Sequence, residues 1–143
     1  MTAVIDLSLL DGSSVHIGAG LPGFPGAHRF RLMPWGEETG PFSLLVSLDE
    51  EGLAFLVSTP DAFFPDYVPE IDGSTAQRLG ILSPADAAVY VIVTPGPTPR
   101  DATANLLGPL VVSRRTGLAA QVVLESTRWE MRTPLVSTRR IYE

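Results

Sequence analysis

The chain contains no cysteine, and this absence excludes disulfide bonds and thiolate metal sites. It contains no lysine either: its ten basic residues are all arginines, set against 16 acidic residues, for a formal net charge of -6. Nucleic-acid binders gain most of their affinity from basic side chains that displace counterions, so this balance disfavours direct nucleic-acid binding. An acidic surface instead favours encounter with basic partners.

Long apolar runs are missing as well. No uncharged stretch reaches the ~18 residues that a membrane helix requires. Residues 1–10 hold no basic residue of the kind that begins a secretory signal. We therefore expect a cytoplasmic protein without membrane contact. With 45% hydrophobic residues the chain is too apolar for disorder, and we expect residues 1–143 to form one domain in which residues 136–143 fray.

Alternation of apolar and polar residues is abundant, and it predicts β-strands. Residues 29–33 alternate with Phe30 and Leu32 inward, and residues 5–9 alternate before a turn that predicts a hairpin with residues 14–17. Further strands are predicted over residues 42–48, 110–112, 121–124 and 128–132, the last with Trp129 and Met131 inward.

Two apolar runs lack alternation, and this predicts strands that are central and buried on both faces. They are residues 53–57 and 89–93. The one helix we predict lies near residues 74–79, where Ser74 could cap it and Gly80 could end it. Short strands separated by Gly/Pro turns indicate a mostly β fold: a small antiparallel β-barrel-like domain with one or two short helices.

Motifs of catalytic or cofactor chemistry find no support. Residues 18–23 spell the dinucleotide-binding pattern, but Pro22 and Pro25 forbid the helix that this motif needs to bind pyrophosphate. His16 and His28 have no partner at metal-ligand spacing, and no nucleophile elbow is present. We therefore expect no enzyme activity, no metal and no cofactor.

An acidic and aromatic segment stands out between residues 60 and 72. Its carboxylates either form a solvated acidic loop or, if buried in pairs, could do acid/base work. Its aromatic residues either plug the open end of a barrel or form an exposed patch. The members are Asp61, Phe63, Phe64, Asp66, Tyr67, Glu70 and Asp72.

A long polar connection covers residues 98–109. Long connections in compact domains are often functional. The alternative is a crossover in which Thr103 and Asn105 satisfy local backbone groups, and the sequence leaves both open.

Six segments occur in an order and spacing that resemble the FliW family of flagellar assembly factors, from about Gly20 to Leu135. They are Gly20-Leu21-Pro22-Gly23-Phe24, Pro41-Phe42, Leu53-Ala54-Phe55, Phe63-Phe64-Pro65-Asp66-Tyr67, Thr103-Ala104-Asn105-Leu106-Leu107 and Gln121-Val122-Val123-Leu124. The chain departs from the family at Val46 and at Ser113, where the family usually has amide side chains. These departures bear on partner affinity more than on fold.

The resemblance implies a monomeric, β-barrel-like protein with two exchanging partners, cytoplasmic flagellin and the translational repressor CsrA. In the family's scheme, export of flagellin frees FliW to bind CsrA and so to relieve the repression of flagellin translation. Such a switch needs no catalytic residue. On this basis we expect partner contacts at Phe64, Asp66, Tyr67, Glu70, Asp72, Thr103 and Asn105.

Two other functions stay open on the sequence alone. A barrel mouth could hold a small molecule or a hydrolase site, which would require convergent carboxylates or a histidine. A generic chaperone-like β-domain would bind many unfolded chains without preference for flagellin.

Overall fold

The structure, a computed structural model, describes residues 12–36, 40–125 and 128–136. These residues form nine strands and one α-helix, so the mostly β prediction is confirmed. The elements are β1 (Ser14–Ile17), β2 (Arg29–Pro34), β3 (Phe42–Ser47), β4 (Ala54–Ser58), α1 (Gly73–Leu79), β5 (Ala87–Thr94), β6 (Thr103–Ala104), β7 (Leu110–Ser113), β8 (Leu118–Gln121) and β9 (Thr133–Pro134). No helix among the described residues is long and apolar enough to cross a membrane.

Seven of the strands close a barrel in the order β1-β2-β3-β4-β5-β7-β8. Antiparallel pairing of β4 with β5, where Val57 faces Ile92, joins the two halves. Parallel pairing of β1 with β8, where His16 faces Leu118, completes the ring. The short strands β6 and β9 extend from the far end of β5. Closure removes the free sheet edges that these seven strands would otherwise expose over their paired lengths.

The barrel interior holds the first of two hydrophobic clusters. Most of its members lie at every second position of a barrel strand, because successive side chains of a strand point to opposite faces of the sheet. Phe30 and Leu32 of β2 both lie there, as the alternation predicts. The other fully buried large members are Val15, Ile17, Leu45, Val57, Tyr90, Leu110 and Val112.

The second cluster, which we call the outer cluster, covers the opposite face of β5. Tyr90 of β5 belongs to the barrel interior, whereas Val91 and Val93 belong to the outer cluster. Burial of β5 on both faces is therefore confirmed. The matching prediction for residues 53–57 is wrong in part, because Ala54 is exposed at the start of β4.

The helix begins one residue earlier than predicted, and its cap is a different residue. Asp72 precedes the helix, and its carboxylate accepts a hydrogen bond from the Thr75 N–H at 2.6 Å. Ser74 lies inside the first turn and is not the cap, because Asp72 already occupies the extended position that a capping residue needs. Gly80 ends the helix as predicted, with a φ of 77° in the left-handed region.

The strands predicted at residues 121–124 and 128–132 are largely wrong. β8 ends at Gln121, and residues 128–132 form no strand. Met131, predicted inward, is 63% exposed, while Trp129 is half-buried against the outer cluster. Residues 5–9 and 137–143, for which a strand and a fraying tail are predicted, lie outside the described residues.

The Gly/Pro loop after β1 contains no helix, so its resemblance to a dinucleotide-binding motif is accidental. Residues 18–26 form turns joined by a bridge between Leu21 and Phe24. Gly20 has a φ of 70°, and a Cβ there would lie 2.7 Å from the Phe24 carbonyl oxygen. Close backbone approach, and not phosphate binding, accounts for this glycine.

Candidate functional site

A groove of about 690 Å³ lies beside the outer cluster, where two non-strand segments face each other. One wall is the segment 66–72, which leads into α1. The other wall is formed by residues 122–125, which follow β8, and by residues 128 and 129. The lining residues are Asp66, Val68, Glu70, Ile71, Asp72, Val122, Val123, Leu124, Glu125, Arg128 and Trp129.

Tyr67 anchors the first wall. Its side chain is buried, and its hydroxyl donates a hydrogen bond to the Leu106 carbonyl oxygen at 2.7 Å. The Trp129 ring meets it edge-on at a centroid distance of 4.8 Å, which ties the two walls together. Burial raises the pKa of Tyr67, so its hydroxyl remains a protonated donor at physiological pH.

Main-chain hydrogen bonds hold the second wall to the crossover that follows β6. Val122 N–H donates to the Pro109 carbonyl at 2.9 Å, and Leu124 N–H donates to the Leu107 carbonyl at 2.8 Å. Leu124 is buried in the outer cluster, whereas Val123 is 73% exposed and Glu125 is exposed. The segment thus keeps the alternation of a strand while its apolar Val123 faces solvent.

The groove combines exposed carboxylates with exposed apolar groups. Asp66, Glu70, Asp72 and Glu125 are all exposed at its rim. The hydrogen bonds that Asp72 accepts from Thr75 lower the pKa of its carboxyl group, so this residue is ionised at neutral pH. Arg128 is the one basic residue that lines the groove among the described residues, and its guanidinium lies 4.6 Å from the Trp129 ring centroid. The field over the groove is therefore negative.

Asn105 does not line the groove, but it holds the turn to which the second wall is hydrogen-bonded. Its Oδ1 atom accepts hydrogen bonds from the Leu107 N–H at 3.1 Å and from the Gly108 N–H at 2.9 Å. The Gln121 side chain donates to the Gly108 carbonyl at 2.9 Å on the same turn. Of the two interpretations of this connection, the structure favours the local one for Asn105, whose side-chain oxygen satisfies neighbouring backbone groups.

Thr103 lies in β6 and is half-buried, paired with Thr94 on one side and Pro134 on the other. Like Asn105, it lies outside the groove lining. Phe64 is also half-buried, in a row of rings with Phe63 and Phe42 at centroid distances of 6.4 and 5.6 Å. These aromatic residues cover the outer face of the barrel wall, so they neither plug its open end nor form a free patch.

The structure therefore brings together three of the seven predicted contact residues, Asp66, Glu70 and Asp72, on one wall of the groove. Sequence reasoning missed the other wall, because it placed Val123 and Trp129 in two predicted strands, with Trp129 inward. The sequence around Val68 and around Glu125 contains no local feature that marks either residue as part of a binding surface. An acidic residue directly after a short apolar run, as at Glu125, is too common to single out.

The histidines show no arrangement of catalytic or metal-binding type in the described part of the chain. His16 and His28 stack with ring centroids 6.3 Å apart, and His28 Nδ1 lies 3.1 Å from the Ile17 carbonyl oxygen. No group of three or more potential metal-ligating side chains occurs among residues 12–36, 40–125 and 128–136.

Comparison with known proteins points in one direction. The family model for the FliW protein matches residues 4–135 of the chain. The flagellar assembly factor FliW of Bacillus licheniformis is 40% identical over 116 residues, which cover 81% of this chain and 80% of that protein. The corresponding factor of Heliobacterium modesticaldum is 41% identical over 123 residues, or 86% of this chain and 80% of that protein.

A solved structure supports the same likeness at the level of the fold. A crystal structure of the flagellar assembly factor FliW superimposes with a TM-score of 0.80 at 33% identity. The match covers 88% of this chain and 87% of the solved chain.

Proposed function

The chain belongs to the FliW family, and from that premise we propose that it is a flagellar assembly factor that acts by binding other proteins through the groove. The observation that carries this proposal is the groove itself. It presents exposed carboxylates around exposed apolar side chains, on walls fixed by Tyr67 and by the main-chain bonds of Val122 and Leu124. A rigid, mixed surface of this kind suits recognition of a protein.

The partners in this proposal are flagellin and a CsrA-type translational regulator. CsrA must present a basic surface to hold RNA, and the groove offers Glu70, Asp72 and Glu125 as opposite charges. Exchange between the two partners follows mass action: the partner present at the higher concentration relative to its dissociation constant occupies the protein. Export of flagellin would then free the protein to bind the regulator and to relieve repression of flagellin translation.

Direct binding measurements test this proposal. The purified chain is titrated with flagellin and, separately, with the CsrA-type regulator of the same organism, by surface plasmon resonance at two salt concentrations. We expect both to bind. A preformed complex with the regulator should release it when flagellin is added, and retention of the regulator at saturating flagellin would contradict the exchange.

The double variant Glu70→Gln with Glu125→Gln removes two rim charges and keeps the side-chain shapes. We expect association with the basic regulator to slow several-fold at low salt and to differ little at high salt, because exposed charges act mainly on the association rate. The matched control is Glu50→Gln with Glu51→Gln, the same charge change on the exposed β3–β4 turn beside the barrel-interior cluster. Equal slowing by both variants would remove the groove from the proposal.

A further inference from the structure

Both walls of the groove carry backbone groups that no other part of the described chain satisfies. On the first wall, Val68, Glu70 and Ile71 make no hydrogen bond through their N–H or C=O groups among the described residues. On the second wall, the same holds for Val123 and for Glu125. Such groups are available to hydrogen bonds from outside the described part of the chain.

The topology explains why the second wall is free. The N–H groups of Val122 and Leu124 point toward residues 107–109, so the N–H and C=O groups of Val123 point to the opposite edge. On that edge β1 pairs with β8 only as far as Ala119, where it meets Ile17. Beyond Ala119 the edge has no strand partner in the described part of the chain.

The side chains of the two walls repeat with the same period. Val68 and Glu70 are two residues apart on the first wall, and Val123 and Glu125 are two residues apart on the second. Val68 is 74% exposed and Val123 is 73% exposed, and both carboxylates are exposed. A spacing of two residues is the repeat of an extended chain, whereas a helix repeats its faces every three to four residues.

We propose that the groove binds an extended segment of a partner protein, in which apolar and basic residues alternate along one face, two positions apart, through main-chain hydrogen bonds to the backbone groups of one wall that the described chain leaves unpaired. The apolar residues of the segment would pack on Val68, Val123 and Trp129. Its basic residues would lie against Glu70 and Glu125, since opposite charges on neighbouring strands attract. This binding mode is strand addition, in which the backbone supplies affinity and the alternating side chains supply specificity. The inference rests on the proposed function and adds the conformation and chemistry of the bound segment.

Three six-residue peptides of equal charge test the proposal. The first, the alternating peptide, has valine, arginine and valine at every second position with serine between them (Val-Ser-Arg-Ser-Val-Ser). The second, the blocked peptide, has the same composition in blocks (Val-Val-Arg-Ser-Ser-Ser). The third is the first with alternate amide nitrogens methylated, prepared in both registers. Binding is measured by fluorescence anisotropy with labelled peptides on the full chain. We expect the alternating peptide to bind at least tenfold more tightly than the blocked peptide, and N-methylation in one register to abolish that advantage. The advantage should also disappear in the variant Glu70→Gln with Glu125→Gln and persist in Glu50→Gln with Glu51→Gln.

Hydrogen exchange supplies the second readout, because it reports individual backbone amides. Binding of the alternating peptide should slow exchange at the amides of one wall: Val68 and Glu70, or Val123 and Glu125. Equal affinity of the alternating and blocked peptides, or unchanged affinity after N-methylation in both registers, would overturn the proposal. So would protection of these amides in the free protein, since the chain's own residues would then fill the groove.

The same measurement separates this inference from the proposed function. If flagellin or the regulator binds and depends on Glu70 and Glu125 but protects none of the wall amides, the proposed function stands and strand addition is wrong. If neither protein binds while the alternating peptide still does, the proposed partners are wrong and the groove's preference for an extended basic segment stands.

Discussion

The two hydrophobic clusters of the protein are built by different means, although both pack against β5. The barrel interior gathers side chains at every second position of regular strands, such as Phe30 and Leu32. The outer cluster gathers residues from loops, short strands and turns, among them Tyr67, Leu106 and Leu124. Regular strands supply the scaffold, and irregular segments supply the surface that is available for recognition, as is common in proteins that bind through loops.

The largest expected difference between the clusters is in global stability. Phe30 is fully buried in the barrel interior, and Phe30→Ala should lower the free energy of unfolding by about 3–5 kcal/mol, because it removes a large apolar side chain and leaves a cavity. Urea denaturation followed by tryptophan fluorescence measures this loss. A loss below about 1 kcal/mol would mean that the barrel interior is not the main source of stability.

The crossover beneath the groove should respond less strongly and more locally. Asn105→Ala deprives the Leu107 and Gly108 N–H groups of their acceptor, and we expect a loss of about 1–3 kcal/mol. Asn105→Asp keeps an acceptor oxygen at this position and serves as the matched control. An equal loss in both variants would show that the amide donor, and not the Oδ1 acceptor, is what the turn requires.

Tyr67→Phe tests the link between the outer cluster and the groove with a smaller change. It deletes the hydroxyl that donates to the Leu106 carbonyl and leaves the ring in place, so we expect a loss of about 1 kcal/mol. Hydrogen exchange should quicken around residues 66–72 while the amides of β2 and β3 keep their protection. Faster exchange throughout the barrel would contradict the division into two clusters.

The smallest effect is expected at the turn after β3, where Asp49 is exposed. Its carboxylate accepts hydrogen bonds from the Arg29 N–H, the His28 N–H and the Arg29 side chain, and these lower the pKa of Asp49 to about 2. A depressed pKa in the folded state stabilises the protein above the unfolded-state pKa of about 4, and this contribution is lost as the pH falls toward 2. Asp49→Asn should therefore be less stable than the parent at pH 7, with a difference that shrinks between about pH 4 and pH 2. A difference independent of pH would mean that the charge of Asp49 is not what stabilises this turn.

Much of the barrel could be predicted from the sequence because its signals are local. Alternation at residues 29–33 predicted β2 and its inward face, and the unbroken apolar run at residues 89–93 predicted a strand buried on both faces. The turn that ends at Gly52, with its φ of 84°, follows from a glycine after three acidic residues. Errors began where alternation continued without a partner strand, as at Met131, because periodicity does not show whether a neighbouring strand is present.

One wall of the groove was anticipated and the other was not. Acidic and aromatic residues between prolines drew attention to residues 60–72, but nothing near Val123 or Trp129 showed that those residues would lie opposite. The contact residues predicted at Phe64, Tyr67, Thr103 and Asn105 remain proposals, and none of the four belongs to the groove lining.

The sequence by itself determined the mostly β class, the inward face of β2 and the acidic net charge, because these depend on residue type and on spacing along the chain. Only the tertiary structure decided that residues 66–72 lie across a groove from residues 122–125 and 128–129. That juxtaposition depends on closure of the barrel and on the early end of β1 beside β8, which are contacts between residues far apart in the chain.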